Sequence, residues 1–256
     1  MLKTDVLIQG YPGRAICHGG LGWSTTTLLR GEGSNILVDV GAFGVRHLLR
    51  QQLRDLQVEP ADVTDVVLTH AHYDHAVNFT LFPNAVIWIG GRELAWAAAQ
   101  PAGFNPLPEL YVRELDVSPR VRRVADGQEF LPGFTAIAAP GHTPGHLLFY
   151  VTATEKPVLF TGDAAKNRAE LLSGMVNDTY DAQASRASLD LIWQWWRREP
   201  GTLLVPGHDV CMRLDAAGQP VYVAERKAAM NAWFGETLEP AVIDLCCAGQ
   251  TARYSA

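Results

Sequence analysis

Between residues 69 and 75 the chain reads Thr-His-Ala-His-Tyr-Asp-His, which places three imidazoles and a carboxylate within the six positions His70 to His75. Imidazole and carboxylate are common ligands of zinc and related divalent ions. A continuous helix would turn His70 and His72 to different faces. A strand that breaks into a turn can aim His70 and His72 together and swing Asp74 and His75 toward a neighbouring point. Burying so many polar groups without a cation would be costly. The plain alternative, a polar surface loop after a strand, accounts poorly for this density. Three more segments share the character. Residues 139–146 offer His142 in an Ala-Pro-Gly-His-Thr-Pro-Gly-His run, residues 160–163 offer Asp163, and residues 204–209 offer His208. Singly, each has a structural reading: Gly141 as a turn, Asp163 as a helix cap, His208 as a loop histidine. Four such segments at strand ends are hard to explain as independent turns.

The elements that must position them follow from periodicity and turn signals. Residues 4–9, 25–30 and 35–40 read as strands, the last two joined by a glycine-containing turn at 31–33 that suits a hairpin. Val45, Leu48, Leu49, Leu53 and Leu56 fall on one helical face, with Pro60 beyond its end. Residues 65–69 form a β-branched strand that delivers His70. A strand at 85–89 and a helix at 93–99 follow. Residues 101–118, with several prolines and no clear period, read as a long loop. Strands are expected at 121–124, 134–138, 147–151, 158–160 and 202–205. An amphipathic helix is expected at 185–198, with Leu189, Ile192, Trp193 and Trp196 inward. Residues 164–180 are ambiguous. Arg120, Arg122 and Arg123 read as a solvated strand face. Hairpin-linked strands with interspersed helices suggest two packed sheets with helices outside.

With 256 residues, 48% of them hydrophobic and 19% charged, the chain is expected to fold as one domain over 1–256. A net charge of −6 argues against nucleic acid as the main partner. No apolar stretch reaches transmembrane length, and the first residues lack a signal-peptide pattern. Cys17, Cys211, Cys246 and Cys247 form no C-x-x-C pair, so a reduced cytoplasmic protein is expected. Oligomeric state is not fixed by these features, a homodimer among the assemblies they allow.

The set H-x-H-x-D-H, P-G-H-T-x-G-H, T-G-D and P-G-H resembles the metallo-β-lactamase-fold hydrolases, and the resemblance runs from the I-L-V-D-V-G segment at 36–41 to His208. It implies a four-layer αββα sandwich with metals at one edge. Carried over by position, it implies that His70, His72 and His142 hold a first metal, that Asp74, His75 and His208 hold a second, and that Asp163 bridges them. All seven positions are filled, which favours two divalent ions, zinc first, with manganese or iron also suited to such ligands. Members with redox di-iron centres usually carry Glu where His72 stands, so hydrolysis is expected.

Metal coordination brings the pKa of water from 15.7 to about 7, making a hydroxide nucleophile available at neutral pH. Asp74, Asp163 and that hydroxide would leave two zinc ions with about one net positive charge to stabilise a developing oxyanion. Asp74 is also the expected catalytic residue, orienting the nucleophile or carrying a proton to the leaving group. The expected substrate is a small-molecule ester, lactone or thioester. Acyl-homoserine lactonases share the P-G-H-T-P-G-H segment, but many place a Tyr three residues after the bridging aspartate, where this chain has Lys166. The alternatives within the fold are a mononuclear iron sulfur dioxygenase and a phosphodiesterase or nuclease. His146 is expected to form a supporting hydrogen bond and Asp39 to brace the site. His18 is as readily a solvated loop histidine as a substrate contact.

Overall fold

The computed structural model describes residues 1–17, 20–31 and 33–246, in two compact units, Met1–Val223 and Ala224–Ala256. In the first unit, strands β1 (Lys3–Ile8), β2 (Thr26–Gly31), β3 (Ser34–Val38), β4 (Asp65–Leu68), β5 (Val86–Gly90) and β6 (Val121–Val124) form a six-stranded sheet in that spatial order. Its first three strands are antiparallel neighbours, and β3 through β6 run parallel. A seven-stranded sheet contains β7 (Glu129–Leu131), β8 (Phe134–Ala138), β9 (Leu147–Val151), β10 (Val158–Gly162), β11 (Leu203–Pro206), β12 (Met212–Leu214) and β13 (Pro220–Tyr222), again adjacent in chain order. Within it β10 and β11 are parallel. The helices are α1 (Arg46–Asp55), α2 (Tyr73–Ala76), α3 (Gly91–Ala98), α4 (Glu109–Val117), α5 (Arg168–Ser173) and α6 (Ala182–Trp196). In the second unit, β14 (Ala229–Ala232) and β15 (Ala241–Asp244) form an antiparallel hairpin.

The period-two alternation of strands sorts side chains between layers. From the first sheet, Leu28, Leu37, Val66 and Leu68 join Leu49 and Leu53 of α1, Leu94 of α3 and Leu115 of α4 in one apolar core. Their strand neighbours Leu29, Ile36, Val38 and Val67 share a second core with Phe149, Val151, Val158 and Phe160 of the other sheet. The remaining face of that sheet, Leu148, Tyr150, Leu159 and Leu204, packs with Leu189, Ile192 and Trp196 of α6. The layers are therefore helix, sheet, sheet, helix, the αββα sandwich expected from the motifs.

Residues 101–118 are not one long loop, since 109–117 form α4. The prolines at 101, 106 and 108 all precede it, where a missing N–H costs the helix nothing, and Val112 and Leu115 bury one face. Leu48 is 45% exposed, so α1 buries only Leu49 and Leu53 of its expected stripe. Arg120 is no solvated residue, for its guanidinium donates to the carbonyls of Phe82 and Ala85. The ambiguous stretch after Asp163 becomes a 3-10 turn and then α5, whose Asn167 cap accepts from the Glu170 N–H. Cys17, Cys211 and Cys246 are free thiols, while Cys247 lies outside the described residues. No helix among the described residues is long and apolar enough to cross a membrane.

Candidate metal centre

Each functional segment leaves the C-terminal end of a strand or joins two strands at the same edge. β4 lies between parallel neighbours β3 and β5 and ends at Leu68, so Thr69 to His75 emerge at the sheet rim and turn into α2. β10 and β11 run parallel and deliver Asp163 and His208 side by side. The connection from β8 to β9 carries His142 and His146. The two sheets are tied at this rim, where the Leu147 N–H donates to the Thr69 carbonyl at 3.0 Å and the Thr25 N–H to the Gly207 carbonyl at 2.7 Å.

All seven side chains singled out in the sequence meet there. The ligand atoms of His70, His72 and His142 lie within 4.8 Å of one another, as do those of Asp74, His75 and His208, and those of His70, His75 and Asp163. Asp163 spans the two outer triples. Its Oδ1 lies 3.1 Å from His75 Nε2 and 3.2 Å from His208 Nε2, and its Oδ2 lies 3.2 Å from His142 Nε2. His72 Nδ1 and His142 Nε2 are 2.9 Å apart. His70 is fully buried, and its Nε2 has no hydrogen-bond partner in the protein. Imidazole nitrogens aimed at one another in a buried site are unfavourable unless a positive charge lies among them. The donor set of imidazole and carboxylate, without thiolate, fits a borderline divalent ion such as zinc.

The protonation states divide the cluster. Burial holds His70 and His142 well below the usual histidine range and brings His72 to about 4, giving three neutral imidazoles. Burial also opposes charge on His75 and His208, but Asp163 and Asp74 outweigh it. His75 rises well above the usual range, with Asp39 contributing, and His208 rises to about 9. Burial works against ionising Asp74 and Asp163 as well, yet the adjacent His75 and His208 hold both below the ordinary carboxylate range.

A second set of groups fixes these side chains. Asp39 is buried with φ of 50°. Its carboxylate accepts from the Thr69 N–H at 2.9 Å and the Thr69 hydroxyl at 2.8 Å, and lies 2.7 Å from His75 Nδ1. This contact leaves His75 Nε2 for the cluster, the usual orienting arrangement for a metal-binding histidine. Ser24 Oγ donates to the Asp74 carbonyl. His146 Nε2 accepts the Asp163 N–H at 3.1 Å, so it supports the backbone of Asp163, and burial lowers its pKa to about 3. Glu93, at the start of α3, is fully buried and takes hydrogen bonds from Ala71, Thr143 and Gly145. Sequence reasoning missed Glu93. Its position three residues into α3 gave no local signal that it reaches two histidine-bearing loops.

Two glycines let backbone approach this closely. Gly162 has φ of 46°, and a Cβ on it would lie 2.8 Å from His146 Nε2. A Cβ on Gly207 would lie 2.2 Å from Asp163 Oδ1. Gly207→Ala must therefore displace Asp163, and a displacement of about 1 Å at such a site costs on the order of 10²-fold in rate. Elemental analysis should find fewer than two bound ions in Gly207→Ala and no loss in Gly44→Ala, which meets nothing within 4 Å. Full metal content in Gly207→Ala would show that Asp163 tolerates the shift.

Lys166 is engaged locally. Its ammonium lies 2.9 Å from Glu170 Oε1 and donates to the Asn177 carbonyl at 3.0 Å. Its carbonyl accepts the His208 N–H at 2.8 Å. His18 lies outside the described residues.

Comparisons with known proteins place this geometry in a family. The chain is 27% identical over 173 residues to an N-acyl homoserine lactonase of Bacillus sp, covering 67% of this chain and 66% of that relative, just under two thirds of its length. It is 28% identical over 220 residues to metallo-beta-lactamase domain-containing protein 1 of Xenopus laevis, covering 85% and 84% of the two chains. Among solved structures, the dizinc quorum-quenching lactonase AidC, in complex with the product N-hexanoyl-L-homoserine, superposes with a TM-score of 0.65 at 18% identity over 80% of each chain. At that identity the likeness shows a shared fold. The sequence pattern of the metallo-beta-lactamase superfamily matches residues 19–208. That match takes in all four histidine and aspartate segments that the fold gathers at one rim, and the chain belongs to the metallo-beta-lactamase superfamily.

Proposed function

We propose that the protein is a dinuclear metal-dependent hydrolase acting on an ester, lactone or thioester bond of a small molecule. The convergence of two ligand triples around Asp163 at one buried rim carries this reading. His70, His72 and His142 would hold one ion, and Asp74, His75 and His208 the other, with Asp163 common to both. Zinc is the ion we assign, on the imidazole and carboxylate set. Divalent ions held there would supply Lewis acidity and lower the pKa of a coordinated water.

The chain's own residues then do the rest. The Asp39 contact orients His75. Asp74 Oδ2, 3.2 Å from His208 Nε2 and partly open to solvent, is placed to orient an attacking water and to pass a proton to the leaving group. Tyr73, next to it in the chain, is 43% exposed. The lactone reading is supported by the relative named as an N-acyl homoserine lactonase. Lys166 stands where many lactonases carry Tyr, so the acyl and leaving groups of the substrate differ from theirs in this reading. A second ligand triple weighs against a mononuclear iron dioxygenase, and a net charge of −6 against a nuclease. Cytoplasmic localisation is part of the same proposal.

The test is a hydrolysis screen on zinc-loaded protein with lactones, thioesters and phosphodiesters, alongside His72→Ala. Turnover of a carboxylic ester, lactone or thioester that His72→Ala abolishes supports the reading. Cleavage confined to phosphodiesters, or one bound iron with oxygen uptake, replaces it.

A further inference from the structure

Two buried carboxylates brace the cluster. Asp39 bonds to Thr69 and to His75, and because the Thr69 hydroxyl lies 3.0 Å from His70 Nδ1, this brace reaches both halves. Glu93 bonds to neither Thr69 nor His75 and serves one half alone. Its Oε1 accepts the N–H of Ala71, between His70 and His72, at 3.0 Å. Its Oε2 accepts the hydroxyl of Thr143, next to His142, at 2.7 Å, and the Gly145 N–H at 3.2 Å.

We propose that Glu93 is a positioning residue for the three-histidine half of the site, a strut that fixes how far the His70–His72 segment stands from the His142 loop and so selectively sets metal affinity there. The inference rests on the dinuclear reading above. Three observations carry it. The carboxylate is fully buried, and its three donors offset only part of the desolvation, which pushes its pKa up to about 7. They come from two loops some seventy residues apart in sequence, whose histidines His72 and His142 approach to 2.9 Å. The close fit is built into the backbone as well, because a Cβ on Gly145 would lie 2.1 Å from the Glu93 nitrogen and one on Gly90 would lie 2.9 Å from the Gly145 oxygen. The start of α3 is thus wedged against the His142 loop, and the carboxylate reaches across to the other.

Alanine at 93 leaves the Ala71 and Gly145 N–H groups and the Thr143 hydroxyl without this acceptor, and the two loops no longer share an anchor. Glutamine keeps the shape but must turn an NH2 toward at least one donor. Losing such an outer contact typically costs 10–100-fold in metal affinity.

The experiment is a zinc titration against a chromophoric competitor, with cobalt absorption as a second readout, on the wild type, Glu93→Gln, Glu93→Ala, Asp39→Asn and His142→Ala. The wild type should bind two ions. Glu93→Gln and Glu93→Ala should weaken one ion by about 10–100-fold and leave the other within about threefold. In the His142→Ala background, Glu93→Ala should change the remaining affinity by less than about threefold, while Asp39→Asn should weaken it. Far-ultraviolet circular dichroism and thermal melting separate misfolding from selective loss, and Glu93→Gln serves if the alanine variant does not fold. Equal weakening of both ions, or unaltered titration in both Glu93 variants, overturns the strut. Failure of the wild type to bind two ions overturns the dinuclear reading and the strut with it.

Discussion

Asp163→Asn will leave the fold intact, reduce the bound metal below two ions and lower hydrolytic turnover by more than about 100-fold. The size follows from position. One carboxylate lies within 3.2 Å of nitrogens from His75, His142 and His208, so it belongs to both halves at once. Losing an outer contact to a ligand typically costs 10–100-fold, and losing a charge common to both ions must exceed that. Asparagine is nearly isosteric and keeps the Asp163 N–H contact to His146, so the core should be undisturbed. Elemental analysis, circular dichroism and turnover on the substrate found by screening check the result. Two tightly bound ions with more than about a tenth of wild-type turnover would remove Asp163 from the bridging role.

The two halves should also answer differently to pH. His208 is raised to about 9 and His75 well above the usual histidine range, so at pH 7 both carry a proton. Ligation requires the neutral imidazole, so a metal must displace those protons. Affinity at the Asp74, His75 and His208 triple therefore rises with pH, by about tenfold per unit for each proton displaced, or about 100-fold per proton between pH 6 and 8. His70 and His142 lie well below the usual range and His72 lies at about 4. No proton needs to leave the three-histidine triple above about pH 5, and its affinity should be nearly flat over the same interval. Calorimetric titration in buffers of different ionisation enthalpy counts the protons released with each ion. Equal slopes for the two ions would show that the carboxylates do not hold His75 and His208 charged.

The contrast between ligands and braces explains what could be read in advance. His70, His72, Asp74 and His75 are legible because ligand chemistry demands particular residue types, and a strand end demands short spacing. The order of hairpin-linked strands and interspersed helices made the layering legible too, while the assignment of adjacent apolar residues such as Leu28 and Leu29 to different layers came only with the sheets in place. Asp39 was readable as a brace, but its bond to His75 depends on β3 lying beside β4. Glu93 was invisible, since its role exists only once α3 is wedged between two loops. α4 was hidden because its three upstream prolines broke the period, and its inward face is short, at Val112 and Leu115. β12 and β13, three residues each, are held by pairing with neighbours and carry little local pattern.

The hydrogen bond from Leu147 to the Thr69 carbonyl has a kinetic consequence. It joins chain segments that lie far apart in sequence, and so does every ligand triple that pairs His70 or His75 with His142, Asp163 or His208. Neither sheet holds a complete set on its own. Closing loops of that length precedes any benefit from the contacts they permit, so the centre can form only after the sheets have docked. The rim then acts as a clasp on an otherwise non-local interface, and any slippage of one sheet over the other is felt first as a spreading of the side-chain triples gathered there.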